Sequence, residues 1–422
     1  MKKTLILSIL TLLAIGACNT DEDDIMPTPA TPQTTTTTPA DTLSGVPTIS
    51  IETTNQQAIS NKTDYIACHI SIDGKGVYDN YESVETDSIR GRGNSTWLWY
   101  DKKPYKIKLS TKAGLLGMKA GKKYVLLANY RDPTALMNAV AFDMARYMGM
   151  QYVNTNRFVE LTLNGEYIGL YQLTEQIEQG SGRVAIAKNG GTLISLDLDD
   201  GPELSPNNNN FYSEVFNSSY SWYGLPVCVK YPKEPTPQQL KTIKKEFAQI
   251  ENCISELDYE ALQQILDVKS MFSFLIIQEI TRNVELVTPR SMYMYRDSAD
   301  VWHFGPVWDF DGGYAFDWGN NHGYFGSQSW LMGTNSSFDI PEFFDGMFQN
   351  DDFRTDYKNY WQEVKEPMLN YILSHISNYQ NTCADAMLRD RDRWPIGRTY
   401  QDEIRRLRNW LRTRFSNYNG FE

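Results

Sequence analysis

The sequence predicts an α+β protein, rich in strands through its first half and in helices through its second. Three observations carry that expectation. Apolar and polar residues alternate with period two in several short runs between residues 47 and 174. Apolar residues recur at helical spacing through most of the chain after residue 236. Between two of those helices a short hairpin leads into Gly305-Pro306-Val307-Trp308-Asp309-Phe310-Asp311-Gly312, which sets two carboxylates one residue apart just after a strand.

In chain order, strands are expected at 47–52 and 65–72, with Asp73-Gly74 as the turn after them. From Ile89 the chain enters a glycine-bearing turn, Arg90-Gly91-Arg92-Gly93-Asn94-Ser95-Thr96. The strand that follows, 105–109, places Lys106 and Lys108 on one face and Tyr105, Ile107 and Leu109 on the other. A further strand is expected at 123–128. Asp132 stands as N-cap, and Pro133 in the first turn, of a helix expected to run to about residue 149. Segments 157–163 and 167–174 read as a hairpin around Asn164-Gly165, the strongest short turn signal in the chain.

Residues 180–214 are turn-rich and read as a long excursion, after which 227–231 returns as a strand. Helices are expected at 238–255, 259–266 and 268–283. The hairpin 292–296 and 302–304 comes next, then helices at 341–348, 352–373 and 400–415. The whole is an α+β plan in two lobes.

The first residues read as an address. Lys2 and Lys3 precede an apolar run, 5–15, too short to span a bilayer, and Gly16-Ala17-Cys18 follows. Residues 1–17 are therefore expected to be a signal peptide. The small-small-Cys ending resembles a bacterial lipobox, with Cys18 lipidated. Residues 18–42 combine an acidic cluster, 21–24, similar to the export signals of Bacteroidetes-type surface lipoproteins, with a Thr/Pro/Ala-rich stretch that cannot bury a core and serves as a tether. No later segment is apolar enough to cross a membrane, so attachment is expected through Cys18 alone, at the outer membrane and facing the cell surface, with the periplasmic face as the alternative. Residues 43–86 are expected as an N-terminal β segment packed on the main domain, 87–422.

Bulk properties exclude several classes. A net charge of −12 argues against nucleic-acid binding, because no basic face is evident to meet phosphates. Cys68, Cys228, Cys253 and Cys383 show no Cys-x-x-Cys spacing and read as buried thiols rather than zinc ligands or disulfides. No Gly-x-Ser-x-Gly elbow supports a serine hydrolase. What remains is a set of parts suited to phosphoryl transfer. An Asp-x-Asp at a strand end can hold a hard cation such as Mg²⁺ or Mn²⁺. A lysine on a strand facing a cleft can neutralise phosphates. A glycine turn, here Arg92, Gly93 and Ser95, can cradle them with backbone N–H groups and a hydroxyl.

The chain resembles the CotH kinase family. The resemblance rests on Arg90-Gly91-Arg92-Gly93-Asn94-Ser95-Thr96-Trp97, Lys103-Pro104-Tyr105-Lys106-Ile107-Lys108 and Leu127-Ala128-Asn129-Tyr130-Arg131-Asp132-Pro133-Thr134. It continues through Leu163-Asn164-Gly165-Glu166-Tyr167-Ile168-Gly169-Leu170-Tyr171 and Val307-Trp308-Asp309-Phe310-Asp311, in order, to the C-terminal tail. It implies an atypical protein-kinase-like fold of two lobes, with ATP and Mg²⁺ or Mn²⁺ between them. By the same resemblance Asp309 binds the metal with Asp311 or Asn283, and Lys106, with Lys108, meets the phosphates. From their place after the 167–174 strand, Glu175 or Glu178 is expected to orient the lysine or line the adenine cleft, the alternative being that both are solvent-facing caps. Glu285 stands where the family carries an aspartate acting as catalytic base or metal partner. Its extra methylene displaces the carboxylate by about 1.5 Å on a fixed backbone, and a misplacement of that size can cost roughly a hundredfold in rate.

The expected function is a surface-anchored kinase that moves the γ-phosphate of ATP to a Ser/Thr or other hydroxyl, on a protein acceptor at the cell surface. A catalytically weak or inactive kinase-like scaffold, serving as a cell-surface binding or structural lipoprotein, is the alternative. Glycan recognition by Trp302, Trp308, Trp318 and Trp330 is a third reading.

Overall fold

The alternating strands of the first half close on themselves. In the computed structural model the described residues are 45–200, 209–217, 224–296, 301–317, 323–333, 336 and 338–421. The expected signal segment, Cys18, the tether and Trp318 lie outside them. The chain enters through β1 (Thr48–Thr53), β2 (Ile66–Asp73), β3 (Tyr81–Glu82) and β4 (Asp87–Gly91). A short helix α1 (Ser95–Trp99) precedes β5 (Tyr105–Ala113) and β6 (Gly121–Leu127). Helix α2 (Met137–Tyr147) and the hairpin β7 (Arg157–Leu163) and β8 (Glu166–Glu175) follow.

Going round, the order is β1-β7-β8-β6-β5-β4-β2, and β2 pairs back onto β1, so the sheet is a closed barrel with β3 added beside β4 on β2. Ile49, Ile51, Ile70, Ile72, Ile89 and Ile107 point inward to its core. Residues 45–86, expected as a segment laid on the domain, supply staves of the barrel itself. The Asn164-Gly165 turn has φ of 52° and 77°, the two positive values a type I′ hairpin requires.

The outer face of the barrel is apolar where β6 and β8 turn Val125, Leu127 and Leu170 toward the rest of the core. There α2 packs. It starts later than residue 133 because Ala135, at φ 59°, interrupts the turn. Asp132 still caps it from outside, accepting from Thr134 N and Met137 N, each at 2.7 Å.

Residues 180–214 hold more structure than their turn-rich sequence suggests. They supply β9 (Thr192–Leu196) and the start of β10 (Phe211–Asn217), joined by β11 (Gly224–Tyr231). Helices α3 (Pro237–Ser255), α4 (Tyr259–Ile265) and α5 (Val268–Thr281) then lead to β12 (Met292–Arg296) and β13 (Trp302–Phe304). These strands form an antiparallel sheet in the order β10-β11-β9-β12-β13. β9 is buried on both faces, so it lacks the alternation that marks half-buried strands.

The chain ends in α6 (Glu342–Asp345), α7 (Asp351–Arg393) and α8 (Tyr400–Asn417). Helix α7 runs twenty residues beyond the expected end at 373. Pro367 lies on its exposed side, where a lost backbone hydrogen bond faces water. Ile376, Cys383, Ala386 and Met387 continue its buried stripe. Its last turns dock on the barrel: Asp390 Oδ1 accepts from Lys102 Nζ (2.7 Å) and Leu170 N (2.8 Å). Gly169 makes room for that carboxylate, since a Cβ there would stand 2.3 Å from Asp390 Oδ1 at φ 118°.

Helix α5 is buried almost throughout, as its continuous apolar run requires. It carries a glutamate, Glu279, fully buried with Arg414 of α8 at 2.8 Å and with Leu331 N at 2.9 Å. Cys68, Cys228 and Cys383 are buried free thiols and Cys253 is half-buried. Among the described residues no helix is long and apolar enough to cross a membrane.

Replacing one partner of a fully buried ion pair leaves the other charge uncompensated, at about 3–5 kcal/mol. Arg414→Met is therefore expected to lower the unfolding free energy by about that amount. Arg414→Met with Glu279→Met should recover part of it. A loss no larger than that of a surface arginine, measured by denaturant unfolding, would remove the pair from the stabilising core.

Candidate active site

The strand register puts like charges side by side. Tyr105, Ile107 and Leu109 point into the barrel, so Lys106 and Lys108 face outward. Lys106 lies opposite Arg90 of β4, and Lys108 opposite Lys123 of β6. Adjacent like charges repel. At Lys123 the conflict is answered, since Glu178 binds its ammonium at 2.5 Å. At Lys106 it is not: among the described residues no carboxylate pairs with it. Burial, with Arg90 and Lys123 nearby, pushes the Lys106 ammonium down to about 8. Arg92 follows two residues after Arg90, its guanidinium 5.7 Å from the Trp308 ring.

Facing these cations is the acidic loop after β13. Val307, Trp308 and Phe310 are buried, and Trp308 stacks on Phe142 of α2 at 6.0 Å. The Phe310 N–H donates to Asn138 Oδ1 at 2.9 Å, which pins the loop to α2. Asp309 adopts φ 68°, a left-handed conformation unusual outside glycine. Asp309 is thereby turned against Asp311 and toward Glu285. Burial raises its carboxyl well above the usual carboxylate range, with Asp311 and Glu285 adding to the shift.

Glu285 sits on a 3₁₀ turn (Val284–Leu286) made possible by Arg282, which ends α5 at φ 47°. The Glu285 carboxyl is raised as well, chiefly by burial. Its Oε2 is buried without a hydrogen-bond partner, and the nearest cation, Arg290, stands 3.6 Å away. Asn283 ties the two acidic elements together: its Nδ2 donates to Asp309 O (3.1 Å) and its Oδ1 accepts from Glu285 N (3.3 Å).

Both sets line one cavity of about 500 Å³. The structure brings Arg92, Gly93, Ser95 and Lys106 to one side of it, with Glu285, Asp309 and Asp311 on the other. Lys108 and Glu178 do not line it; Lys108 is exposed beside Tyr65, and Glu178 is occupied with Lys123. Asn283 is fully buried behind the wall and spends its amide on the backbone. Sequence reading missed Arg90, Arg131 and Arg290. Arg131 donates to Asp311 O at 2.8 Å, and Arg290 to Asp199 Oδ1 at 3.1 Å. Arg90 alternates with Arg92 and gave a legible signal. Arg290 gave none, because Asp199 lies in the segment read as an excursion.

Of the tryptophans, Trp302 and Trp308 are buried and Trp330 packs under Arg414 at 3.8 Å, so these three present no open platform for a sugar.

The donor set suits a hard divalent cation. Three carboxyls that repel one another, one with an oxygen lacking a hydrogen-bond partner, face the cavity opposite Lys106, Arg90 and Arg92, which have no ion pair among the described residues. Among the described residues no three acidic, histidine or cysteine side chains converge closely enough to complete a metal shell alone. A cation here would take Asp309 and Asp311 plus water or ligand oxygens, the pattern expected of Mg²⁺ bound with phosphate.

The described residues thus form an α+β protein in which a basic barrel face opposes an acidic loop across one cavity. The CotH kinase protein family model matches residues 89–418, most of the chain, and the protein belongs to that family. The match starts in β4, so β1, β2 and β3 lie before it. No curated protein matches the chain.

A carboxyl whose pKa rises on folding costs stability from about pH 4 upward, and nothing below, where it is protonated in both states. In metal-free buffer Asp309→Asn should thus raise the melting temperature at pH 7, with the gain fading as the pH approaches 4. A variant no more stable than the parent at neutral pH would show that Asp309 is not strained by its acidic neighbours.

Proposed function

We propose that the protein is a kinase-like phosphotransferase of two lobes, the barrel forming one and the helical part the other. It binds ATP in the cavity between them and passes the γ-phosphate to a Ser/Thr or other hydroxyl. The observation that supports this most directly is that Lys106, Arg90 and Arg92, without an ion pair among the described residues, face Asp309, Asp311 and Glu285 across about 500 Å³. Arg131 and Arg290, 3.8 and 3.6 Å from Asp311 and Glu285, offset those two acids in part; a phosphate chain with a divalent cation complements both sets at once.

Lys106 and Arg92 would hold the phosphate oxygens, with the Gly93 N–H and the Ser95 hydroxyl at the turn. Asp309 and Asp311 would hold Mg²⁺ or Mn²⁺. When bound, that cation draws charge from the phosphate oxygens and holds them in place. Glu285, with its raised carboxyl, orients the acceptor hydroxyl and takes its proton. Asn283 positions both carboxylates by fixing the backbone between them. The acceptor is a protein at the cell surface, and the enzyme reaches it from the outer membrane on the tether that starts at lipidated Cys18.

Binding to the folded state must raise the melting temperature. ATP with Mn²⁺ is expected to do so, and Asp309→Ala to remove the dependence on metal while leaving some dependence on nucleotide. No shift at millimolar nucleotide would sink the kinase reading and leave a scaffold. Glu285→Gln should cut phosphate transfer by on the order of 10²–10⁴-fold. Glu285→Asp, more active than the parent, would show the glutamate to be a partial handicap.

Phosphates beside Lys106 raise its pKa above the free value of about 8. Nucleotide affinity is then full below pH 8 and lost as the pH rises through the bound-state value, with proton uptake on binding in that window. Titration calorimetry in buffers of different ionisation heat measures that uptake. Equal heats just above pH 8 would place Lys106 away from the phosphates.

A further inference from the structure

A separate cavity of about 310 Å³ meets the first only at Gln176 and Ile177. Its lining includes Arg157, Arg183 and Lys119, and none of the three has a carboxylate partner among the described residues. The two arginines are held by backbone carbonyls instead. Arg157 donates through Nε to Leu116 O (2.9 Å) and through Nη1 to Asn156 O (2.9 Å), and lies 5.0 Å from the Tyr78 ring. Arg183 donates to Lys119 O (3.2 Å), Gly182 O (2.8 Å) and Lys123 O (3.0 Å), over the Tyr124 ring. Its Nε is buried with no partner.

Carbonyl oxygens fix the direction of a guanidinium without cancelling its charge. An arginine so held is preorganised for an oxyanion and loses little freedom on binding one. The acid in the lining, Glu175, is satisfied by neutral donors, Thr155 N at 2.8 Å and Thr174 Oγ1 at 3.3 Å, and does not neutralise the cations. Several other arginines of this acidic chain pair with carboxylates, as Arg389 does with both oxygens of Glu160 at 2.7 and 2.8 Å. Three cations left together beside Met118, Val153 and Ile177 therefore mark a place where charge and apolar surface await one molecule. The volume lies at the lower end of the range for small-molecule sites, about 300–1,000 Å³.

We propose that this cavity is a second ligand site for a small organic oxyanion, a phosphate monoester or a carboxylic acid. The charged group rests on Arg157, Arg183 and Lys119, and the body lies against Met118, Val153 and Ile177. The site does not depend on the kinase reading, because it shares no charged residue with the active-site cavity.

The test is calorimetric titration of the full chain with glucose 6-phosphate, glucuronate and glucose, in parent and Lys106→Gln backgrounds. The second background weakens phosphate binding in the first cavity, and Lys119→Glu, at a position outside that cavity, separates the two sites. At least one anion is expected to bind in both backgrounds, and glucose in neither. Binding of glucose 6-phosphate alone assigns the phosphate ester, and binding of glucuronate alone the carboxylate. Arg157→Gln should weaken the anion roughly tenfold or more, the worth of a lost charge-assisted hydrogen bond. Lys119→Glu, at an exposed position, should weaken it without changing the melting temperature of the free protein. The proposal is overturned by any of three results: no anion binding at millimolar concentration, binding that disappears in Lys106→Gln, or binding that Lys119→Glu leaves intact.

Discussion

The docking of α7 on the barrel is the contact on which the candidate site depends. The barrel carries the cations and the helical part carries the acids, so the cavity exists only while the two are held in register. Asp390 does this with one carboxylate oxygen that accepts from both Lys102 and the Leu170 backbone, while Lys102 also donates to Leu170 O at 2.6 Å. Burial pulls the Lys102 ammonium down and Asp390 counters it, so each charge needs the other. Gly169 is the residue that admits the carboxylate so close to a strand. Further links act nearer the chemistry, where Asn138 holds the Phe310 backbone and the Tyr314 hydroxyl donates to Met137 O at 2.9 Å.

The cavity joined this way is electrostatically unresolved on both sides. Lys106 sits beside Arg90 with no carboxylate paired to it among the described residues, and Asp309 sits beside Asp311 and Glu285 with a positive φ. A fold optimised for stability alone would neutralise these groups, as it does at Lys123 with Glu178 and at Glu279 with Arg414. Local conflicts of this kind concentrate where a ligand completes the charge balance. The second cavity shows a milder form of the same pattern: its arginines are oriented, yet keep their charge.

Several of the structural relations were legible beforehand. Alternation in 105–109 put Lys106 outside the barrel, and the Asp-x-Asp after a short hairpin stood where a loop reaches the cavity. Asn164-Gly165 set its hairpin register. Other relations were hidden for physical reasons. Period two says that Lys106 and Lys108 share a face, but not that the cavity ends between them. Glu178 looked equally suited to Lys106 or Lys123, and the register decided it. Asn283 was read as a metal partner, whereas the structure buries its amide in backbone contacts. Strand β9 is buried on both sides and so carries no periodic signal.

The sequence by itself determined the α+β class, the main strands and helices, the family and the chemical character of the acidic loop, because these follow from periodicity, turn chemistry and local motifs. The tertiary structure alone decided that residues 45–86 close a barrel. It also decided that Arg290 joins the site, and that three cations more than thirty residues apart in part share a second cavity. Those relations are set by strand pairing and by charges meeting across long chain separations, and no local pattern encodes them.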